Sequence, residues 1–345
     1  MQEGGLMSLG TPSRVAIVLV NFGGAADTIE CLESLCALES FQSGEKIVVF
    51  VVDNDSPDGS LAVLRGWLEA RGTIVPSTSD WPEREIDGPH ISLRVVLAQS
   101  HVNKGFAAGC NLGLAIAFRD PSIAHFWLLN NDTTVHPCAA IELLISSRQQ
   151  ADRSICGSTL LYDDNHEVVQ AAAGAQYVHL IGRSRHYLKG KRVSEIEDAP
   201  LPEFDYIVGA SMFFSRDVLN LIGFLPERYF LYVEETEWCT RARRMGISLD
   251  WARKSYVFHK EGRSTGAEAR FAKLGDHAFY FTSRNNLLYT WDHARIYTLP
   301  VTIYTLLLAV SYAFKGDLAK LKIALKSVRD FWRLRNQQEN LLTPL

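Results

Sequence analysis

Several short clusters in this chain carry side chains that could do chemistry. Asn130-Asn131-Asp132 stands directly after the apolar run Phe126-Trp127-Leu128-Leu129. One carboxylate beside two amides on a tight turn could support a hard divalent cation. Magnesium typically takes one or two protein carboxylates and draws its remaining oxygens from phosphate and water. The same three residues also make an ordinary strand-end turn. Glu234, Glu235 and Glu237 cluster where a helix should begin. Acids there complement the helix dipole. They also follow the aromatic run Tyr229-Phe230-Leu231-Tyr232, and a carboxylate in apolar surroundings has a raised pKa and can act as a general base. Asp53, just beyond another apolar run, could accept from a nucleotide base or ribose, or simply close an Asx turn. His259 follows a further buried strand, where a histidine is a ligand or a satisfied core residue. Gly262 and Ser264 beyond it hint at a loop built around something.

These residues need elements to hold them. Residues 15–20 are continuously apolar and end at Asn21-Phe22-Gly23-Gly24, as in a strand buried on both faces. Ile29, Leu32, Leu35 and Leu38 then follow helical spacing. A second buried strand is expected over 47–52, a helix through Leu61, Leu64 and Leu68, a strand over 93–97, a helix over 105–118 and a strand over 125–129. This alternation argues for an α/β domain with a doubly wound, mostly parallel sheet. Residues 75–90, rich in Pro, Ser, Asp and Glu, read as a surface insertion. After Ser154 the pattern shifts to shorter strands and longer loops, a mixed extension. Residues 206–214 form one strand region split by Gly209, and a helix over 234–245 ends at Gly246.

Composition narrows the field. The chain has 345 residues, 47% hydrophobic, enough for a large core and about two domains. A formal net charge of -4 gives no electrostatic reason to expect a nucleic-acid partner. Cys31, Cys36, Cys110, Cys138, Cys156 and Cys239 form no CxxC pair and read as reduced thiols. The polar, Gly-rich residues 1–12 lack a basic stretch followed by an apolar one, so a cytoplasmic location is expected. Gly105, Gly109 and Gly113 are spaced four apart, which is not G-x-G-x-x-G, and no P-loop signature occurs.

Residues 296–314 lack charge and are long enough to span a bilayer. From Lys315 on, Leu318, Leu321, Leu325, Val328 and Trp332 form a helical stripe flanked by Lys320, Lys322, Lys326, Arg329 and Arg333. A basic amphipathic helix suits an anionic membrane surface. A span would place this tail opposite a cytoplasmic domain, against the positive-inside tendency, so peripheral contact with the inner-membrane surface is expected. Packing of these helices on the domain itself is the alternative.

Taken in order, these clusters resemble family-2 glycosyltransferases, especially the bacterial rhamnosyltransferase-like branch. The resemblance covers roughly residues 14–286. Its carriers are Ile17 to Asn21, Val52 to Ser56, Asn103 to Ala107 with Asn111, Leu128 to Thr133, Gly209 to Ser211, Tyr229 to Trp238, Arg241 to Arg243, His259 with Gly262 and Ser264, and Arg284-Asn285. It implies a GT-A fold with C-terminal helices and inverting, metal-dependent transfer from a nucleotide-diphosphate sugar. The acceptor would be a hydroxyl of a glycan or lipid-linked molecule in cell-surface polysaccharide synthesis, with rhamnose as one candidate sugar. The implied layout is a disordered tail over 1–13, a GT-A domain over 14–265 (nucleotide-sugar half 14–135, acceptor half 136–265) and a helical region over 266–345. The resemblance implies donor contacts from Asn21, Asp53, Asn54, Asn103, Gly105, Asn111, Asn131 and Arg284. It implies Mg2+ or Mn2+ at Asp132 and His259, acceptor contacts from Gly209, Ala210 and Trp238, and Glu235 as base with Glu234 as its rival.

Two departures stand out. Asn130 replaces the first acid of the D-x-D motif, leaving one carboxylate. Glu235 stands where Asp is typical, and a shift of about 1 Å can cost about 100-fold in rate. The acid pair usual before the aromatic run appears as Pro226-Glu227, its role open. Rival readings are a catalytically silent nucleotide-sugar-binding scaffold, which would not need the glutamates, and a nucleotidyltransferase. The latter would usually need a basic loop near the first strand, and residues 21–24 contain no Lys or Arg.

Overall fold

A computed structural model describes residues 14–41, 46–77, 80–260 and 275–337. The tail expected over 1–13 and the loop of Gly262 and Ser264 lie outside them. The first half runs β1 (Arg14–Asn21), α1 (Ala25–Cys36), β2 (Lys46–Asn54), α2 (Ser60–Arg71), β3 (Thr73–Val75), β4 (Glu83–Asp87), β5 (Ser92–Ser100), α3 (Phe106–Phe118), β6 (Ile123–Leu129), β7 (Thr133–Val135) and α4 (Ala139–Gln149). The second half adds β8 (Ser154–Tyr162), β9 (Asn165–Ala172), β10 (Gly174–Val178), β11 (Arg183–His186), β12 (Tyr206–Ile207), β13 (Ser211–Ser215), α5 (Arg216–Ile222), α6 (Glu234–Arg244) and β14 (Ser248–His259). Three helices follow: α7 (Asp276–His293), α8 (Thr298–Phe314) and α9 (Leu318–Leu334).

One large sheet runs in the order β3-β4-β5-β2-β1-β6-β13-β8-β14-β7, with β9 paired to β8. β5, β2, β1 and β6 are parallel neighbours. The chain moves from β1 outward through β2 to β5 and then returns to β6 on the other side of β1. That reversal opens a crevice at the carboxyl ends of β1, β2 and β6, where open α/β sheets bind ligands. Alternate residues of β1 face opposite layers. Val15, Ile17 and Leu19 pack with α1, α2 and α4, while Ala16, Val18 and Val20 pack with α3. The glycines of α3 have a packing reason. A Cβ on Gly109 would come 2.7 Å from Val20, and one on Gly113 2.5 Å from Val18. The four-residue spacing lays one glycine face of the helix directly on β1.

Two expectations are corrected. Residues 75–90 are not only an insertion, because β4 pairs antiparallel with β5 and β3 with β4, extending the sheet edge. The mixed half also holds long strands: β14 has 12 residues and pairs parallel to β8. Buried on one β14 flank by β8, these strands carry polar residues that mask their apolar pattern. The expected strand over 206–214 is divided at 208–210, with β12 in a small sheet with β10 and β11 and β13 in the large one. Helix α6 ends as expected, with Gly246 at φ 76 just past Met245.

Candidate active site

The three parallel-strand ends meet through a continuous hydrogen-bonded path. Asn131 Nδ2 donates to Thr28 Oγ1 (2.9 Å), Thr28 Oγ1 donates to Asn21 Oδ1 (2.9 Å), and Asn21 Nδ2 donates to Asp53 Oδ1 (2.9 Å). Asp53 Oδ2 accepts the Ser56 amide, and both residues' loop is held further by Asn21 Nδ2 on Ser56 Oγ (3.0 Å). Asn54 Nδ2 donates to Asn103 Oδ1 and to the Gly105 carbonyl, while its buried Oδ1 has no partner. Asn103 Oδ1 in turn accepts the Gly105 amide (2.8 Å). Asn21, Asp53, Asn54, Asn103, Gly105 and Asn131 are therefore brought into one rim.

Asp132 lies in the turn between β6 and β7, directly before Thr133, and the antiparallel pairing of β14 with β7 sets His259 opposite Thr133. His259 Nε2 lies 3.3 Å from Asp132 Oδ1 and 3.4 Å from Asn130 Nδ2. Its Nδ1 is 2.8 Å from Gln170 Oε1. An amide oxygen at that distance is satisfied by an Nδ1–H donor, which turns the Nε2 lone pair toward a carboxylate. Two such electron-rich atoms need a proton or a cation between them. Burial opposes ionisation of Asp132, yet the hydrogen bond and charge of His259, helped by Lys260, hold its carboxyl below the usual range. Lys260 itself is fixed by Asp27 (2.7 Å) and Glu30 on α1. The buried Asn130 Oδ1 has no partner. Asp132 and His259, with the unpartnered Asn130 Oδ1 on the same turn, thus make a donor set that suits a divalent cation. Among the described residues no three His, Cys, Asp or Glu side chains converge, so such a cation would complete its shell with phosphate and water oxygens.

The acidic turn arrives from the other side. The Asn130 amide donates to the Ala210 carbonyl (3.0 Å), and a Cβ on neighbouring Gly209 would lie 3.8 Å from Glu235. Gly209 and Ala210 therefore bridge the cation turn and the glutamates. Glu235 is half-buried, whereas Glu234 is 4% exposed. Neither carboxylate's Oε2 has a hydrogen-bond partner. Burial pushes Glu235 up to about 7. Burial and the adjacent Glu235 push Glu234 well above the usual carboxylate range. Glu237 is different: burial opposes its ionisation, but His293 and Arg241, at 3.5 and 2.9 Å, outweigh it and keep the acid ionised.

The turn before α6 is strained. Phe230, Tyr232 and Val233 have φ values of 63, 68 and 76, a conformation that L side chains adopt at a cost of about 1–3 kcal/mol each and that persists where the surroundings over-determine it. Those surroundings are visible. Asn285 Nδ2 is shared among the carbonyls of Tyr229, Leu231 and Tyr232 at 2.6, 2.8 and 2.9 Å. Arg284 donates to the Tyr229 carbonyl and to Asn285 Oδ1. From below, Gly105 at φ 103 leaves no room for a Cβ, which would fall 2.2 Å from the Phe230 carbonyl. Asn285→Ala is expected to leave these buried carbonyls unsatisfied, at about 1–3 kcal/mol, and the loss of stability is read by thermal melting.

Three expected contacts are reassigned. Asn111 donates to the Leu225 carbonyl and Glu227 and accepts the Leu225 amide, so it ties α3 to the loop before the acidic turn. This also gives Glu227 its role as Asn111's partner. Trp238 is fully buried, with its indole N–H on the Gly223 carbonyl, and is core rather than acceptor surface. Arg284 holds the turn instead of reaching the nucleotide rim. Gln170 was missed, since it comes from β9 and nothing local in the sequence pairs it with His259.

The buried acid pair has a consequence for stability. A carboxyl whose folded pKa is raised stabilises the fold below its unfolded pKa, and that contribution is lost as pH rises through the folded pKa. Glu234→Gln is therefore expected to raise Tm by roughly 2 °C at pH 8, the scale on which about 1 kcal/mol moves a large domain. Little gain is expected at pH 4, and melting at the two pH values checks it.

With this geometry in place, comparisons with known proteins are informative. The model of the family described as glycosyl transferase family 2 matches residues 16–220. A curated relative, the low-salt glycan biosynthesis hexosyltransferase Agl10 of Haloferax volcanii, is 26% identical over 159 residues. That alignment takes in 46% of this chain and 50% of the relative, so the chain spans about half the length of the curated protein it matches. Among solved structures, GalNAc-T7 with UDP, GalNAc and Mn2+ is similar at a TM-score of 0.57 and 13% identity, over 95% of this chain and 57% of that one. The mannosyltransferase PcManGT from Pyrobaculum calidifontis, in complex with GDP-Man and Mn2+, gives 0.51 and 11% over 96% and 78%. At such identities the likeness concerns the fold.

Proposed function

The chain belongs to glycosyl transferase family 2, and from that premise we propose that it moves a hexose or deoxyhexose from a nucleotide-diphosphate donor to an acceptor hydroxyl, with inversion at the anomeric carbon. The observation that carries this reading is the convergence of Glu235 on the Asn130–Asp132 turn through Gly209 and Ala210. A silent scaffold would have no use for two adjacent acids, each with an unpartnered Oε2, held on a strained turn. The curated relative is a hexosyltransferase of glycan biosynthesis, which supports a glycan or lipid-linked acceptor. Rhamnose rests on the motif resemblance alone.

The residues then have these roles. The rim of Asn21, Asp53 and Asn54 takes the nucleoside, with the unpartnered Asn54 Oδ1 available to a donor N–H or O–H. Asp132 and His259, with Asn130 Oδ1, would hold Mg2+ or Mn2+. When bound there, such a cation neutralises charge building on the leaving diphosphate. Glu235 accepts the proton of the acceptor hydroxyl as the acceptor oxygen bonds to the anomeric carbon. The bond from that carbon to the diphosphate oxygen breaks on the opposite face, and the nucleoside diphosphate leaves. Transfer should rise with pH through about 7, where Glu235 becomes ionised. Nucleoside diphosphate release that needs both a divalent cation and Glu235 is the test; release independent of both would refute the reading.

A further inference from the structure

The C-terminal helices carry a surface that catalysis does not use. α8 turns its Val301, Thr305 and Ala309 side inward, onto α7 and α9. Its other side is apolar and open: Leu299 is 67% exposed, Leu307 63% and Phe314 88%, with Ile303 and Val310 between them. At about 100° per residue these positions fall within an arc of about 80°. Leu318, Leu325 and Trp332 make a matching exposed stripe on α9. Lys322, Lys326, Arg329 and Arg333, all exposed, lie along one flank of that stripe.

We propose that α8 and α9 form a hairpin that docks in the plane of an anionic phospholipid surface, its apolar stripes entering the headgroup boundary and its cations meeting lipid phosphates. An apolar face edged by Lys and Arg is what interfacial helices present, and Trp332 has the amphipathic ring found at headgroup level. Charge selects this occupant. A second copy would bring the same row of exposed cations to the contact, whereas an anionic headgroup layer offers a phosphate to each cation along the row. Geometry selects lying over spanning. The segment Arg295–Phe314 is long and apolar enough to cross, but α8 is not free to leave the domain, because its Val301, Thr305 and Ala309 side is packed inward. It is also packed against α9, whose cations would have to follow it in. α9 and α7 share a core with Tyr229 and Val233 of the acidic turn. Docking therefore holds the Glu235 side of the cleft near the bilayer, where a lipid-linked acceptor would lie; that last point rests on the transferase reading, whereas docking itself does not.

Flotation of the full chain tests this, using phosphatidylcholine vesicles with and without about one-third phosphatidylglycerol. The expected result is binding to the anionic vesicles only, lost on alkaline carbonate wash. Lys322→Glu with Arg333→Glu, and separately Leu307→Glu, should each reduce bound protein about 10-fold or more, with melting and nucleoside diphosphate release unchanged. Equal binding to neutral vesicles, resistance to carbonate, or no flotation at all would overturn it. So would a self-association in sedimentation velocity that Leu307→Glu abolishes, because a second copy would then cover the stripe. Absent flotation with intact turnover overturns docking alone; intact flotation without turnover overturns the transferase reading alone.

Discussion

Glu235→Gln is expected to lower sugar transfer by about 10²–10⁴-fold, the range that a positioned general base supplies, with donor binding unchanged. The substitution preserves volume and removes only the ability to take a proton. Glu235 is the half-buried member of the pair, stands beside Gly209, and is pushed by burial up to about 7. A base with that pKa is ionised enough near neutrality to act and basic enough to accept a proton in the transition state. Glu234 is 4% exposed, and Cys110 of α3 feels its charge, so it faces the core side of the turn. Glu234→Gln should retain transfer. Single-turnover assays with each variant decide between them: if Glu234→Gln loses transfer and Glu235→Gln keeps it, the base assignment moves by one residue.

Asp132→Ala should remove cation-dependent donor binding and lower turnover about 10³-fold. Charge stabilisation worth several kcal/mol is at stake, and each factor of ten is about 1.4 kcal/mol. With Asn130 in place of a second acid, no other carboxylate is available on the turn. The loss must be separated from a change in fold stability. Asp132 has a depressed pKa, so it contributes stability above the ordinary carboxylate range, and that contribution fades as pH falls through its folded pKa. The variant should accordingly melt slightly lower at neutral pH without cation, and its melting should no longer respond to added Mn2+. A variant that still responds to Mn2+ and turns over would exclude Asp132 as the ligand.

How much of this was readable in advance follows from where each residue gets its neighbours. Asp53 and Asp132 stood out because strands buried on both faces read as unbroken apolar runs, and the polar residues that follow such a run lie at the strand's end. Glu234 and Glu235 stood out because acids rarely follow an aromatic run. The partners that make the site work did not, since they come from far along the chain: Gln170 reaches His259 from β9, and Asn285 reaches the acidic turn from α7. Trp238 misled for the opposite reason. It sits next to the glutamates in sequence, but a helix turns successive residues about 100° apart, so it faces the core. β4 was obscured by the charges Glu83, Arg84, Glu85 and Asp87, next to the three-residue edge strand β3. Such charges protect an exposed sheet edge from pairing with other chains.

The account stands or falls on one site taking a nucleotide-diphosphate donor together with a divalent cation. Thermal melting of the full chain with a panel of nucleotide sugars, each with and without Mn2+, measures this directly, because a ligand that binds the folded state raises its apparent stability. At least one donor is expected to raise Tm with Mn2+ present, much less without it, and not at all in Asp132→Ala. A donor-induced rise that ignores both the cation and Asp132, or no rise with any nucleotide sugar, would contradict it.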